Sequence, residues 1–161
     1  MNISGLAIVL LLAARSVNRD ALKPGDVVLE VETLKLTDAE KLADTNASAG
    51  AAIKVTAETS TATGEVTLPA GTYTIDAYVM CEDLSHDTFW LEVGANPKLK
   101  VFPSHAKLPQ TTWSRAGAEQ PDVKGAYSFA VQEAKPLPVK ITAKETGMKI
   151  DRLVFRKQET K

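Results

Sequence analysis

With 161 residues, of which 44% are hydrophobic and 24% charged, the sequence has the size and balance of one globular domain with a sizeable core. A formal net charge of −1 and a pI near 6.1 provide no basic field for a phosphate backbone, so nucleic acid is excluded as an expected partner. The single cysteine, Cys81, excludes an internal disulfide.

The chain opens on an apolar run, Gly5 to Ala14, too short to span a bilayer as a helix but of a length that suits the core of a secretory signal. No Lys or Arg precedes it, and Ala14-Arg15-Ser16 is the nearest small-x-small cleavage candidate. The reading is residues 1–22 as signal or anchor plus linker, and 23–161 as the domain, which places the protein in the secreted or cell-envelope compartment. A short helix packed on the domain, or a lipophilic anchor, is the alternative.

Asp26 to Thr33 reads as a strand, and period two puts Glu30 and Glu32 on one of its faces. Leu34 to Ala43 has ambiguous apolar spacing and could form a helical turn; Asp44 to Asn46 is a polar loop. The small-residue stretch Ala47 to Ala51 leads into a strand near Ala52 to Ala57. Ser60 to Gly64 reads as a turn and Glu65 to Leu68 as a strand.

Leu68 to Gly94 carries the strongest pattern. Tyr73, Ile75, Ala77, Val79 and Cys81 alternate with Thr72, Thr74 and Asp76, and Phe89, Leu91 and Val93 alternate with Trp90 and Glu92. The pair is expected as two central strands of one sheet, joined by the polar loop Asp83 to Asp87, with Tyr78 flanking Trp90 across the pair. Cys81 falls on the inward face and reads as a small hydrophobe. His86 and His105 are isolated and read as surface histidines.

Leu99 to Phe102 is a short strand. Pro103 to Asp122 is irregular, contains Trp113, and has the length of a functional or mobile loop. Ala126 to Gln132, Pro138 to Glu145 and Met148 to Arg156 close the chain as strands. Eight or nine short strands with Gly and Pro turns and almost no helix predict an all-β fold, a jelly-roll β-sandwich of two antiparallel sheets.

Four pieces in this order resemble the carbohydrate-binding modules of families six and thirty-five, which are galactose-binding-like β-sandwiches. They are Leu29-Glu30-Val31-Glu32; the loop Ala47-Ser48-Ala49-Gly50-Ala51; the Pro69-to-Tyr73 turn with the later Asp87-Thr88-Phe89; and the closing Glu145 to Leu153. Together they cover Val28 to Phe155. The resemblance implies a structural calcium with Glu30, Glu32 and Asp151 as ligands and backbone carbonyls completing the shell. The alternative is that these carboxylates are solvated, with Asp151 paired to a Lys or Arg. The resemblance also implies a sugar site in the loops at one end, where two aromatic rings and an Asn amide meet the sugar. Trp113 fits one ring. The second is expected just after Gly50, where the chain has Ala51, Ala52 and Ile53, and Lys149 stands where the Asn is expected.

Trp90 and Tyr78 are further candidates, for an outer sheet face that binds sugar in some relatives; Trp90 could equally pack under a loop. The function so implied is non-catalytic attachment to a polysaccharide or oligosaccharide, alone or for a partner such as a glycoside hydrolase or another surface protein. The alternatives are a sandwich that kept the fold for protein contacts, and a jelly-roll enzyme that degrades polysaccharide. No catalytic set is evident in the sequence beyond the Glu30 and Glu32 pair.

Overall fold

The structure, a computed structural model, describes residues 21–103 and 108–159. The apolar run at Gly5 to Ala14, the start of the domain boundary region and His105 lie outside the described residues. Among the described residues no helix is long and apolar enough to cross a membrane.

Twelve antiparallel strands form two sheets: β1 (Val27–Glu30), β2 (Lys35–Thr37), β3 (Ala39–Ala43), β4 (Ala51–Val55), β5 (Thr61–Leu68), β6 (Gly71–Met80), β7 (Phe89–Val93), β8 (Leu99–Val101), β9 (Ser114–Glu119), β10 (Ser128–Val131), β11 (Lys135–Ala143) and β12 (Lys149–Lys157). One sheet runs β3-β4-β12-β6-β9, with β1 also beside β12 and β10 also beside β6; the other runs β2-β5-β11-β7-β8-β9. β9 belongs to both. Its first residues pair with β6 from Val79 to Asp76, and its last pair with β8 at Lys100 and Val101. This all-β sandwich is the expected architecture, with more strands than expected.

The alternation in β6 and β7 places Tyr73, Ile75, Ala77, Val79, Phe89, Leu91 and Val93 in the core. Each large side chain there contributes roughly 1.5–3 kcal/mol through apolar burial. The two strands, however, do not share a sheet. β6 lies between β12 and the β9/β10 edge, while β7 lies between β11 and β8. The polar stretch 81–88, which contains a 3-10 turn at Leu84–His86, crosses between the layers instead of closing a hairpin. Tyr78 therefore cannot flank Trp90, because each points outward from a different sheet.

Other elements depart from the sequence reading for local reasons. The first strand stops at Glu30, and Val31–Thr33 turns as a 3-10 helix. Lys35 to Ala43 is two short strands and not a helical turn, broken by Asp38 at φ 51°. Thr61 to Gly64 is strand and not turn, and glycine is needed in it because Leu34 packs so close that a Cβ at position 64 would stand 2.5 Å from Leu34 Cδ2. Ser114 to Glu119, expected within a long loop, is strand β9, whose inward residues Ala116 and Ala118 are small.

Candidate functional site

Segments 56–60, 81–88, 108–113 and 144–148, with Phe102 and Pro103, gather at one end of the sandwich. Backbone bonds hold them together, from Gly147 N to Val55 O (2.8 Å) and from Ala143 N to Ser60 O (2.9 Å). The Glu145 carboxylate accepts from the backbone N–H of Asp87 (3.1 Å) and Thr88 (3.0 Å). Gln110 ties the long loop to β6: its Oε1 accepts from Cys81 N at 2.8 Å, and its own N donates to Cys81 O at 3.0 Å. Burial pushes the Cys81 thiol up to about 11, helped by the negative charges of Asp87, Asp83 and Glu145. The thiol is therefore an inert core group, as expected. His86 is half-buried against Gly147, with its Nδ1 2.7 Å from Asp83 Oδ1.

Trp113 and Lys149 reach this same end. Lys149 lies opposite Met80 across β12 and β6, and Ser114 lies opposite Val79 across β9 and β6. Trp113 and Lys149 thus stand on either side of Met80, roughly 10 Å apart at two strand spacings. Trp113 is half-buried, and its Nε1 is buried without a hydrogen-bond partner. Lys149 is also directly opposite Lys54 on β4, a like-charge cross-strand pair that costs stability. Ala52 and Ile53 are fully buried, so the expected second aromatic wall is absent at those positions.

Glu30, Glu32 and Asp151 do not share one strand, yet the fold brings them close. Glu30 ends β1, Glu32 sits in the 3-10 turn, and Asp151 is the extra residue of a β-bulge where β12 shifts register between Ile150 and Arg152. The bulge turns Asp151 toward the β12 edge that β4 and β1 share, and it is 2% exposed. Ser48, in the small-residue loop, donates its N–H to Asp151 Oδ1 at 2.8 Å, and its Oγ bonds both that atom (2.9 Å) and Glu30 Oε2. Burial raises the Glu30 pKa above its ordinary value; the bond from Ser48 opposes this, and the neighbouring charges of Asp151 and Glu32 add to it. Glu32 Oε2 is buried with no hydrogen-bond partner. Arg152 Nη1 lies 3.8 Å from Asp151 Oδ2, so a paired cation is also present. Among the described residues, no three His, Cys, Asp or Glu side chains stand ready-arranged around an ion position.

The other aromatic candidates fall on separate outer faces. Tyr78 is 4% exposed because the Arg152 guanidinium sits 4.1 Å from its ring centre, and Arg156 Nη2 donates to its hydroxyl at 3.0 Å. Its ring is covered, so it offers no open stacking face. Trp90 is half-buried on the outer face of the second sheet, between Lys100 on β8 and Thr142 on β11, with Lys98 Nζ 4.9 Å from its ring centre. Sequence reasoning missed both lysines, although the Lys-Leu-Lys alternation after Pro97 signals them.

The architecture is a two-layer antiparallel β-sandwich of the jelly-roll kind. Compared by sequence, the chain matches no protein-family model and no curated protein. Compared by structure, it is similar to a family 35 carbohydrate-binding module from Clostridium thermocellum (TM-score 0.58, 15% identity, covering 83% of this chain and 98% of that one). It is equally similar to a family six module of Cellvibrio mixtus lichenase 5A solved with cellotriose (TM-score 0.58, 14% identity, 83% and 98% covered). It also matches the Podospora anserina GH26-CBM35 β-(1,4)-mannanase (TM-score 0.64, 11% identity), covering 86% of this chain but only 29% of that enzyme. The chain has the fold of the family six and thirty-five carbohydrate-binding modules.

Proposed function

We propose that the protein is a non-catalytic carbohydrate-binding module, exported, that attaches itself or a partner to a polysaccharide. The observation that supports this reading is the coverage: the structural match spans 83% of this chain and 98% of a family 35 carbohydrate-binding module. The loop end supplies the recognition surface. Trp113, half-buried, offers ring surface on which sugar C–H groups stack, and Lys149 takes the place of the amide. The rigid sheets fix these loops in advance, which limits the entropy lost on binding.

One structural calcium at Glu30, Glu32 and Asp151 belongs to the same proposal. The chemistry of the three side chains supports it: they are hard carboxylates, one oxygen of Glu32 is buried and unpartnered, and the charges of Asp151 and Glu32 add to the raised pKa of Glu30. Binding requires them to converge from their present arrangement, in which Arg152 stands beside Asp151. Calcium bound there would neutralise the cluster and hold β1 and the 47–51 loop against the β12 bulge. The test of function is a glycan and polysaccharide array with the full chain in calcium buffer. A hit lost in Trp113→Ala, with an unchanged melting temperature, supports the reading; a blank array from folded protein overturns it.

A second reading has its own observation. With Ala52 and Ile53 buried and Lys149 in place of Asn, the loop end lacks two elements of the resembled sugar site. A sandwich that kept its fold for protein contacts accounts for that, and a blank array would favour it.

A further inference from the structure

Trp113 stands in a short arch whose two feet are fastened to the same end of β6. At one foot Gln110 N donates to Cys81 O at 3.0 Å, and Gln110 Oε1 accepts from Cys81 N at 2.8 Å and from the Cys81 thiol at 3.4 Å. At the other foot Ser114 opens β9 opposite Val79. Only Thr111, Thr112 and Trp113 lie between the feet, and both threonines are exposed. So short a span between two fixed points leaves the backbone few arrangements. The Gln110 side chain is an expensive way to make the first foot. It is 8% exposed, and among the described residues its Nε2 is buried with no hydrogen-bond partner, which destabilises the fold. Only the carbonyl oxygen is used. A carboxylate would accept the same bonds, but the charges of Asp87, Asp83 and Glu145 act on the neighbouring Cys81 sulfur and would repel it. A neutral acceptor of this reach is what the position requires.

We infer that Gln110 is a positioning residue for the loop-end surface: its amide oxygen, bound to the end of β6, holds the arch so that Trp113 presents one fixed ring orientation to a ligand. The inference rests on the carbohydrate-binding reading above and names what prepares that site. Ordering the arch is then a cost of folding and not of binding. That matters here because Ala52 and Ile53 are buried and leave the second wall of the resembled site without a ring. A single ring has to carry the stacking, and a mobile one would lose affinity on being ordered. The clasp also braces the arch against the rest of the loop end. Cys81 begins the 81–88 crossing, and Glu145 holds the far end of that crossing through the N–H groups of Asp87 and Thr88, in the turn that leads to Lys149.

The test uses the full chain carrying Trp90→Phe, which leaves Trp113 as its one tryptophan. In this parent protein the fluorescence anisotropy should decay only with the tumbling of the whole molecule, and acrylamide should quench weakly. Gln110→Met keeps the size of the side chain and removes the acceptor. It is expected to raise the quenching constant about twofold or more and to add a nanosecond component to the decay. Gln110→Glu, measured at about pH 5.5 where burial keeps the new carboxyl neutral, should return both to the parent values. Glycan affinity, read on the array and by titration with cellotriose, should fall about tenfold in Gln110→Met. Quenching and anisotropy unchanged in Gln110→Met overturn the inference, and so does a loosened Trp113 with unchanged glycan affinity. If Gln110→Met does not fold, the parent decides: a Trp113 that tumbles with the whole molecule supports the inference, and one that already moves within nanoseconds overturns it. If the native chain binds glycan and Gln110→Met binds it equally, only this inference falls; if the folded native chain binds none, the binding-module reading falls with it.

Discussion

Arg156 on β12 and Asp26, just before β1, are joined by a 2.9 Å bond from Nη1 to Oδ2, with the Asp26 side chain fully buried. The same carboxylate accepts from Lys157 N at 3.0 Å and Lys23 N at 2.9 Å, while Arg156 Nε donates to Asp76 at 3.0 Å. This network fastens the start of the domain to its last strand. Burial alone would raise the Asp26 pKa, but the bonds from Lys23, Arg156 and Lys157 outweigh it and hold the group below its ordinary value. A depressed carboxylate contributes stability that is present above its unfolded value of 3.8 and lost as pH falls through the lower folded value. Asp26→Asn should therefore cost about 2 kcal/mol at neutral pH, roughly 4–8 °C of melting temperature. The deficit should begin to shrink below about pH 4, where the unfolded chain takes up the proton, and be gone once pH has fallen through the lower folded value. A melt series of both proteins across pH checks this; a pH-independent deficit contradicts it.

The carboxylate cluster makes a prediction with opposite signs in its two arms. With calcium at about 100 times its Kd, the native protein gains about 2.7 kcal/mol, some 5–10 °C, and EDTA removes the gain. Glu32→Gln abolishes that increment, because a ligand charge is lost. In EDTA the same variant should melt no lower than the native protein, since it removes one of three mutually repelling carboxylates. Differential scanning calorimetry with calcium and with EDTA reads both arms. A melt indifferent to calcium removes the metal from the proposal.

Cys81 should stay silent in the folded state. It is 1% exposed, and with a pKa of about 11 only about one thiol in a thousand is ionised at pH 8. Ellman's reagent at pH 8 is expected to label it at the rate of global unfolding and completely in guanidinium. Fast labelling of native protein would mean that the 81–88 crossing opens locally, despite the Gln110 bonds that hold it.

Much of the sandwich was written in plain alternation, and what escaped was written in other ways. β6, β7 and β11 were legible because large apolar residues mark every second position. β9 was not, because Ser-Arg-Ala-Gly-Ala-Glu has neither β-branched nor aromatic residues; its signal is the pair Ala116 and Ala118, whose small size suits a strand shared by two sheets. The sheet assignment of β6 and β7 failed because sequence neighbours pair by default, whereas the 81–88 connection is long enough to cross between layers. The Asp151 bulge went unread: its signal is a phase break, with Met148 and Ile150 on one parity and Leu153 and Phe155 on the other, inside what reads as one closing strand. The loop end was half-legible. Trp113 and Lys149 could be named from the resemblance, but their positions on either side of Met80 depend on register. Likewise the cover over Tyr78 comes from Arg152, on a strand far away in sequence.

Lys149 gives the last prediction, because two effects meet at one residue. It faces Lys54 directly across β4 and β12, so removing its charge should stabilise the fold by a few tenths of a kcal/mol. Lys149→Asn also places an amide where the resembled modules carry one, two strands from Trp113. An amide offers both a donor and an acceptor to vicinal hydroxyls, whereas an ammonium only donates. One added neutral hydrogen bond is worth about 1 kcal/mol, so affinity for a neutral oligosaccharide such as cellotriose should rise roughly fivefold. Isothermal titration reads the affinity and a melt reads the stability. A stabilised variant with unchanged sugar affinity would leave Lys149 outside the recognition surface and shift it toward Trp90. A variant that gains both would place this lysine in the recognition surface, where its ammonium limits affinity for neutral sugars.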